Sequence, residues 1–447
     1  MWESRVEALL EEEKELFRAS HRKSQQLHAS AEKALIGGVP MPWMTRWPGP
    51  FPIYANRAEG GRLFDVDGNQ YVDFALGDTG AMVGHAPDFL RDAIASQAKV
   101  AVTTMLPSQD ATWVANELGR RFGLPRWQFA LTATDANRFA LRLARHLTGR
   151  SKILVFDWCY HGTVDETLAT LDAEGRVIPR AGNIGPAVDP ALTTAVVQFN
   201  DVAALERALG AGDIAAVLTE PALTNIGIVL PEPGFHQELR ALTRRYGTLL
   251  IIDETHTMCA GPGGYTRAFG LEPDMITVGK AIAGGIPAAA YGVAEPWATE
   301  LDRLMRDELI DVSGVGGTLA ANAFATAAMR ATLSSSLREE EFAISFALAK
   351  EWANGVAKVI ASKSLPWSVQ NLGSRSEYWF CPAPRNGSLA AAATNPALEA
   401  YFHLYALNRG VLLTPFHNMA LLSPHHSTED VALHSEIFSA TVASLLD

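Results

Sequence analysis

Cysteine is scarce in this chain of 447 residues: there are three, Cys159, Cys259 and Cys381. So few, and odd in number, suit a reducing compartment in which buried thiols are the default. His256 and Cys259 have a spacing that could hold a metal, but no second pair completes a tetrahedral set, and no metal site is expected. Apolar runs are short as well. None reaches the roughly 18 residues a transmembrane helix requires. The opening stretch, MWESRVEALLEEEKELF, is acidic and amphipathic where a signal peptide is basic and then apolar. Basic runs and basic–aromatic patches are also missing, and the net charge is −12. That balance argues against binding a phosphate backbone. A soluble, cytoplasmic protein that engages neither nucleic acid nor membrane is expected.

What is present is apolar content, 48% of the chain, ample for a large core and more than one domain. Residues 2–35 read as one long polar helix with an intermittent apolar stripe of Trp2, Val6, Leu9, Leu10, Leu16, Phe17 and Leu27, ended by Gly37 and Gly38. Residues 39–50 hold too many prolines for a helix or a central strand, and form a loop loaded with Trp43, Met44 and Trp47. Alternating apolar positions on either side of Asp67-Gly68 then predict a hairpin. From about residue 86 to 310, helical patterns alternate with the short apolar runs QFALT, KILVFD, TAVVQFND, AAVLTE, TLLIID and MITVGK. Strand-then-helix repetition means βα units and a mainly parallel sheet. The expected fold class is therefore α/β. A large domain spans residues 76–318, and a smaller α+β domain is built from residues 1–75 and 319–447.

The chemistry-bearing residues fall just after those runs. Thr132, Thr134, Tyr160, Glu220, Asp253 and Lys280 all lie at or beyond strand carboxyl ends, hence on one rim, where open α/β sheets bind ligands. Asp253 and Lys280 are 27 positions apart (280 − 253) at the ends of two such runs. One reading is an ion pair between neighbouring strands. The other is a pyridoxal 5′-phosphate (PLP) site, with the lysine bound to the aldehyde as a Schiff base and the aspartate paired with the protonated pyridine nitrogen. A carboxylate of ordinary pKa, about 3.9, is ionised at neutral pH and holds that proton in place. The T-A-T-D-A-N at 132–137 leads into a helical run and serves either as an N-cap or as a phosphate site at a helix start. The glycines at 210–212, 261–264 and 279 fit neither a dinucleotide fingerprint nor a P-loop.

The segment 248–287 also resembles a known family. D-E-x-x-T after an apolar strand, then D-x-[IV]-T-x-[GS]-K followed by A-[IL]-[AG]-G-G, is similar to the fold type I, class III aminotransferases, in the branch around glutamate-1-semialdehyde aminomutase. Further matches run from about residue 37 to the C-terminus. They include a D-x-D-G-x-x-Y-x-D hairpin and phrases like the family's closing hairpin and final helix, which starts at Ser427. The resemblance implies that Lys280 carries PLP and that Asp253 meets its ring nitrogen. It further implies that Thr132, Ala133 (where glycine is usual) and Thr134 hold the phosphate. Tyr160, followed by His161, stacks on the ring; Glu220 stands near it, and Thr255 takes the place of a valine beneath it. Thr318, in G-G-T-L, reaches the phosphate of a neighbouring subunit, which implies a homodimer with shared active sites.

Two departures bear on substrate. The aminomutase's carboxylate-binding arginine falls at Met44, with Arg46 two positions on, and Phe416 and its neighbours lack an acid the aminomutase carries there. Trp43, Met44 and Phe416 then line a pocket for an apolar or aromatic substituent, with Arg46 and Glu220 as polar contacts, or else only pack their loops. The expected function is a ping-pong aminotransferase taking an amino group from an amine or amino acid, including β- or D-amino acids, to a keto acid. The alternatives are a glutamate-1-semialdehyde-type aminomutase or a racemase and, outside enzymes, a catalytically silent PLP-fold binding protein.

Overall fold

The computed structural model describes residues 3–306 and 314–447. Two compact units account for the chain. The first joins Met1–Pro87, Glu340–Ala383 and Ala393–Asp447; the second joins Asp88–Glu339 and Pro384–Ala392.

The second unit is built on a seven-stranded sheet. Its order is Arg126–Ala130, Ala289–Val293, Met275–Val278, Leu249–Asp253, Ile214–Thr219, Lys152–Phe156 and Thr194–Val197. Six of these strands are the six apolar runs read above, and they run in one direction. The seventh, Ala289–Val293, is antiparallel to both neighbours and was not legible. Its A-A-Y-G-V is buried on both faces, so no alternation marks it. Gly292 is required there because a Cβ would stand 2.6–2.8 Å from the Trp127 ring. The helix Ala133–Thr148 turns Ala136, Ala140 and Ala144 inward, and these small side chains let it lie close on the sheet. Asp253 is in register with Thr277 on the adjacent strand. Lys280 follows three residues later, so both groups emerge at one end of the sheet.

In the first unit the N-terminal segment is two helices, Glu3–Ser20 and Arg22–Ala31, instead of one. The break is His21 (φ −126°, ψ 44°), whose ring bridges the Phe17 carbonyl at 2.8 Å and the Tyr71 hydroxyl at 2.7 Å. Tyr71 donates in turn to the buried Asp65. Asp67 does more than shape the hairpin turn: its carboxylate accepts from the Lys23 and Ser24 amides at 2.6 and 3.0 Å, satisfying orphan donors at the start of the second helix. Of the expected stripe, Val6 and Phe17 are buried, Leu16 and Leu27 are exposed, and Trp2 lies outside the described residues.

The hairpin itself is present, Arg62–Asp65 pairing antiparallel with Gln70–Asp73. The closing hairpin is not. Val411–Leu412 pairs parallel with Gln70–Asp73, whereas Met419–Leu421 joins Arg375–Trp379 in another sheet. Between them Phe416 sits in the left-handed region (φ 61°), a strained state for a bulky residue. The last helix, Thr428–Leu446, starts at Ser427 with a capping box to Asp430. Among the described residues no helix is long and apolar enough to cross a membrane.

The core of the first unit is aromatic, with Trp352, Tyr378, Phe402 and Phe438 buried together. His434 stacks on Trp352 with ring centroids 4.5 Å apart. Burial depresses its pKa to about 3, with His403 adding repulsion, and burial depresses His403 to about 4. Above the unfolded value of 6.5 both residues are neutral in either state and cost nothing. As pH falls below 6.5, the unfolded chain takes up protons that the folded one refuses. Stability therefore drops by about 1.4 kcal/mol per pH unit for each residue. Unfolding free energies from denaturant titrations at pH 6.5 and 5 should differ by about 3 kcal/mol through these two residues, and His434→Phe should remove about half of that share. A flat profile over that window would show that the histidines charge without cost.

Candidate active site

Asp253 ends its strand and is buried on the rim. Its Oδ2 accepts from Asn137 Nδ2 at 2.8 Å and lies 3.0 Å from His161 Nδ1, while its Oδ1 accepts from the Thr255 amide at 3.0 Å. Burial alone would raise the pKa of this carboxyl. The hydrogen bond and charge of His161, with Thr255 and Asn137, outweigh burial and hold it down at about 2. His161 is itself pushed up: burial opposes its charge, and the Cys159 sulfur and Asp253 offset that. Asp253 is thus a fixed anion with three protein donors.

The neighbouring acid is used differently. Successive strand residues point to opposite faces, and Glu254 turns back to accept from the Thr257 hydroxyl and the Tyr265 and Thr266 amides. It ties down the loop after the strand. Gly264 is needed for that approach, since a Cβ there would fall 2.4 Å from Glu254 Oε2.

Lys280 begins the short helical turn Lys280–Ala283 with φ 49°, outside the usual range for a lysine. Its Nζ lies 2.8 Å from His256 Nε2. The helix Ala133–Thr148 starts on the same rim. Thr132 caps it through the Asp135 amide, and Thr134 Oγ1 accepts from the Thr163 amide at 3.0 Å. Gly162 permits this contact, because a Cβ would sit 2.0 Å from that hydroxyl. Ala133 is accommodated by Gly279, where a Cβ would come within 3.1 Å of the alanine's own. Glu220 is buried and kept above its usual pKa by that burial, against the lowering influence of His161 and Thr224. Its oxygens accept from the Tyr160 and Thr224 amides and the Thr224 hydroxyl. Tyr160 is thereby fixed at the end of its strand. Thr318 is exposed in a turn of the same unit.

The other candidates belong to the first unit. Trp43 and Phe416 are brought together there, ring centroids 4.9 Å apart, and Met44 and Arg46 are exposed on the loop that carries Trp43. Two residues outside the expected site contact its central groups. Asn137 is fully buried between Asp253 and Thr277, whose hydroxyl donates to its Oδ1 at 2.6 Å. It is the last residue of the T-A-T-D-A-N phrase, one helical turn on from the phosphate-type start, and that spacing was the available signal. His256 had no signal beyond being atypical.

The donor set suits PLP. A buried anion is held ready for a ring N–H, an amine stands on the adjoining strand end, and a helix start with two hydroxyls offers an anion site. His161 Nε2, buried, has no hydrogen-bond partner among the described residues. The Aminotransferase class-III profile matches residues 43–439. The chain belongs to the class III aminotransferase family. It is 34% identical over 416 residues to a glutamate-1-semialdehyde 2,1-aminomutase of Anaeromyxobacter sp. (strain Fw109-5), covering 91% of this chain and 95% of that one. A solved glutamate-1-semialdehyde aminomutase of Pseudomonas aeruginosa PAO1 is 50% identical and superposes with a TM-score of 0.97 over 99% of both chains. A lysine-to-alanine variant of that protein was solved in complex with PMP. An omega-transaminase of Sphaerobacter thermophilus is 27% identical, with a TM-score of 0.85 over 95% of this chain and 98% of its own. The fold is accordingly fold type I, and the class III chain is a PLP-dependent enzyme.

Proposed function

We propose that this class III enzyme moves an amino group between neighbouring carbons of one substrate, in the manner of the aminomutases. The observation that carries this reading is the 50% identity to a solved glutamate-1-semialdehyde aminomutase across nearly the whole of both chains. The sequence reading placed transfer between two molecules first and the aminomutase second; the relatives reverse that order. One residue still favours transfer between molecules: Met44, apolar and 38% exposed, at the position where the resemblance calls for a carboxylate-binding arginine.

PLP, when bound, supplies an electron-withdrawing ring conjugated to the substrate nitrogen, which makes the adjoining C–H acidic. The chain's residues do the rest. Asp253, ionised and immobile, holds the proton on the ring nitrogen. Lys280 Nζ is the amine that would hold the aldehyde and the base that would carry the proton of the substrate carbon. Thr132, Ala133 and Thr134 hold the phosphate at the helix start, with Thr318 added by a second subunit of a homodimer. Tyr160 and Thr255 would contact the ring, and His161 backs Asp253. Trp43, Met44, Arg46 and Phe416 contact the substrate. The enzyme works in the cytoplasm.

The test follows the nitrogen. With glutamate 1-semialdehyde and no keto acid, the aminomutase reading predicts an isomer of equal mass with the amino group relocated between carbons 2 and 1. With a ¹⁵N-labelled amine and an unlabelled keto acid, the second reading predicts label in a new amino acid. Isomer without label transfer to an added keto acid supports the first reading, and label transfer without isomer supports the second. A protein that neither binds PLP nor moves nitrogen would sink both.

A further inference from the structure

We infer that His256 is a catalytic residue that exchanges a proton directly with Lys280. This rests on the reading of Lys280 as the PLP-binding amine. The contact is close, 2.8 Å between Nε2 and Nζ, a direct hydrogen-bond distance. It is also held in place from both sides. His256 is buried immediately before the short helical turn Thr257–Ala260. That turn is anchored by Glu254, which accepts from Thr257, Tyr265 and Thr266 within the same loop. On the other side, Lys280 is fixed by a left-handed backbone and by the turn that ends at Gly284 (φ 61°). An ordinary surface lysine explores many rotamers at little cost; this one emerges from a strained backbone position with its Nζ at the His256 ring.

The chemistry needs such a partner. An ammonium has no lone pair, so Lys280 can attack an aldehyde only after one N–H bond is broken. When Nζ gives its proton to Nε2, a bond forms on the imidazole as one breaks on the amine, leaving a neutral amine and an imidazolium. The reverse transfer, from the imidazolium to the neutral amine, restores both groups, and a proton that Lys280 collects from the substrate carbon passes to Nε2 by the same route when the imidazole is neutral. Imidazole is the side chain suited to passing protons in both directions near neutral pH. His256 thus lets Lys280 cycle between nucleophile and acid without waiting for solvent.

The test uses the full-length chain, stripped of cofactor and then offered PLP. Uptake is followed by visible absorbance and by borohydride fixation, with the added mass located on the Lys280 peptide. Wild-type protein should label at Lys280. His256→Ala and His256→Gln should label the same residue about 10²-fold more slowly, the lower end for a positioned acid–base group. Added imidazole should recover at least about tenfold of the loss in His256→Ala and none in His256→Gln, whose side chain fills the space. The donor half-reaction of the loaded enzyme should show the same pattern. If His256→Gln keeps the wild-type rate, a hydrogen bond suffices and the proton transfer is wrong. Wild-type protein that takes no label at Lys280 would overturn the PLP reading itself, and this inference with it.

Discussion

Lys280→Ala should eliminate turnover, with a fall of more than about 10⁴-fold. That is the top of the range for a single acid–base group, and here the same side chain also makes the covalent attachment. His161, the basic side chain beside Asp253, has its Nδ1 committed to that carboxylate. The substitution leaves the framework intact. Alanine retains a Cβ, so the positive φ at this position is as strained as before, and the lost side chain was only half-buried. The melting temperature should stay within a few degrees of wild type by the usual scale of such changes. Cofactor binding should also survive in weakened form, because the phosphate and ring are held by residues elsewhere on the rim. Borohydride should then fix no mass to the 280 peptide, and dialysis should remove the visible absorbance that wild-type protein keeps. Appreciable amino-group transfer by the variant would show that Lys280 is not the reacting amine.

How far the sequence carried can be read from particular residues. Six of the seven strands of the large sheet were legible because each is a short apolar run bounded by glycine, proline or charge. The end of each run marked the rim on which Asp253 and Lys280 emerge. The antiparallel Ala289–Val293 was not legible, since an alanine-rich strand buried on both faces has neither alternation nor bulk. Long-range hydrogen bonds were equally hidden. Asp67 capping a helix that begins 45 residues earlier (67 − 22) and His21 breaking that helix toward Tyr71 leave no local signature. In the site, Asp253 of D-E was legible as the rim acid, but the use of Glu254 was not, because its partners Thr257, Tyr265 and Thr266 follow in a loop with no regular pattern. Asn137 and His256 were missed for the same reason: each is defined by the group it touches, 116 and 24 positions away.

Asp253→Asn tests the other half of the pair. The change is nearly isosteric, so packing is preserved while the charge is removed. We expect kcat to fall by about 10²–10³-fold, the scale for removing one preorganised electrostatic partner. PLP should still be taken up and should still label Lys280, since neither needs the anion. The hydrogen bonds add a second consequence. Oδ1 faces the Thr255 amide, and Oδ2 faces Asn137 Nδ2 and His161 Nδ1. Whichever way the asparagine turns, its NH₂ meets a donor on one side, so stability should drop by about 1–3 kcal/mol. The pH profile then separates charge from packing. The wild-type carboxylate, depressed to about 2, contributes stability that is fully present above 3.8 and lost as pH falls toward 2. That contribution is about 2 kcal/mol, and the asparagine lacks it. The variant's acid limb should therefore be shallower below pH 4 even though it is less stable at pH 7. If Asp253→Asn keeps kcat within tenfold of wild type, the buried anion is not what holds the ring proton. His161, whose Nε2 lies buried on the same rim, would then be the next residue to substitute.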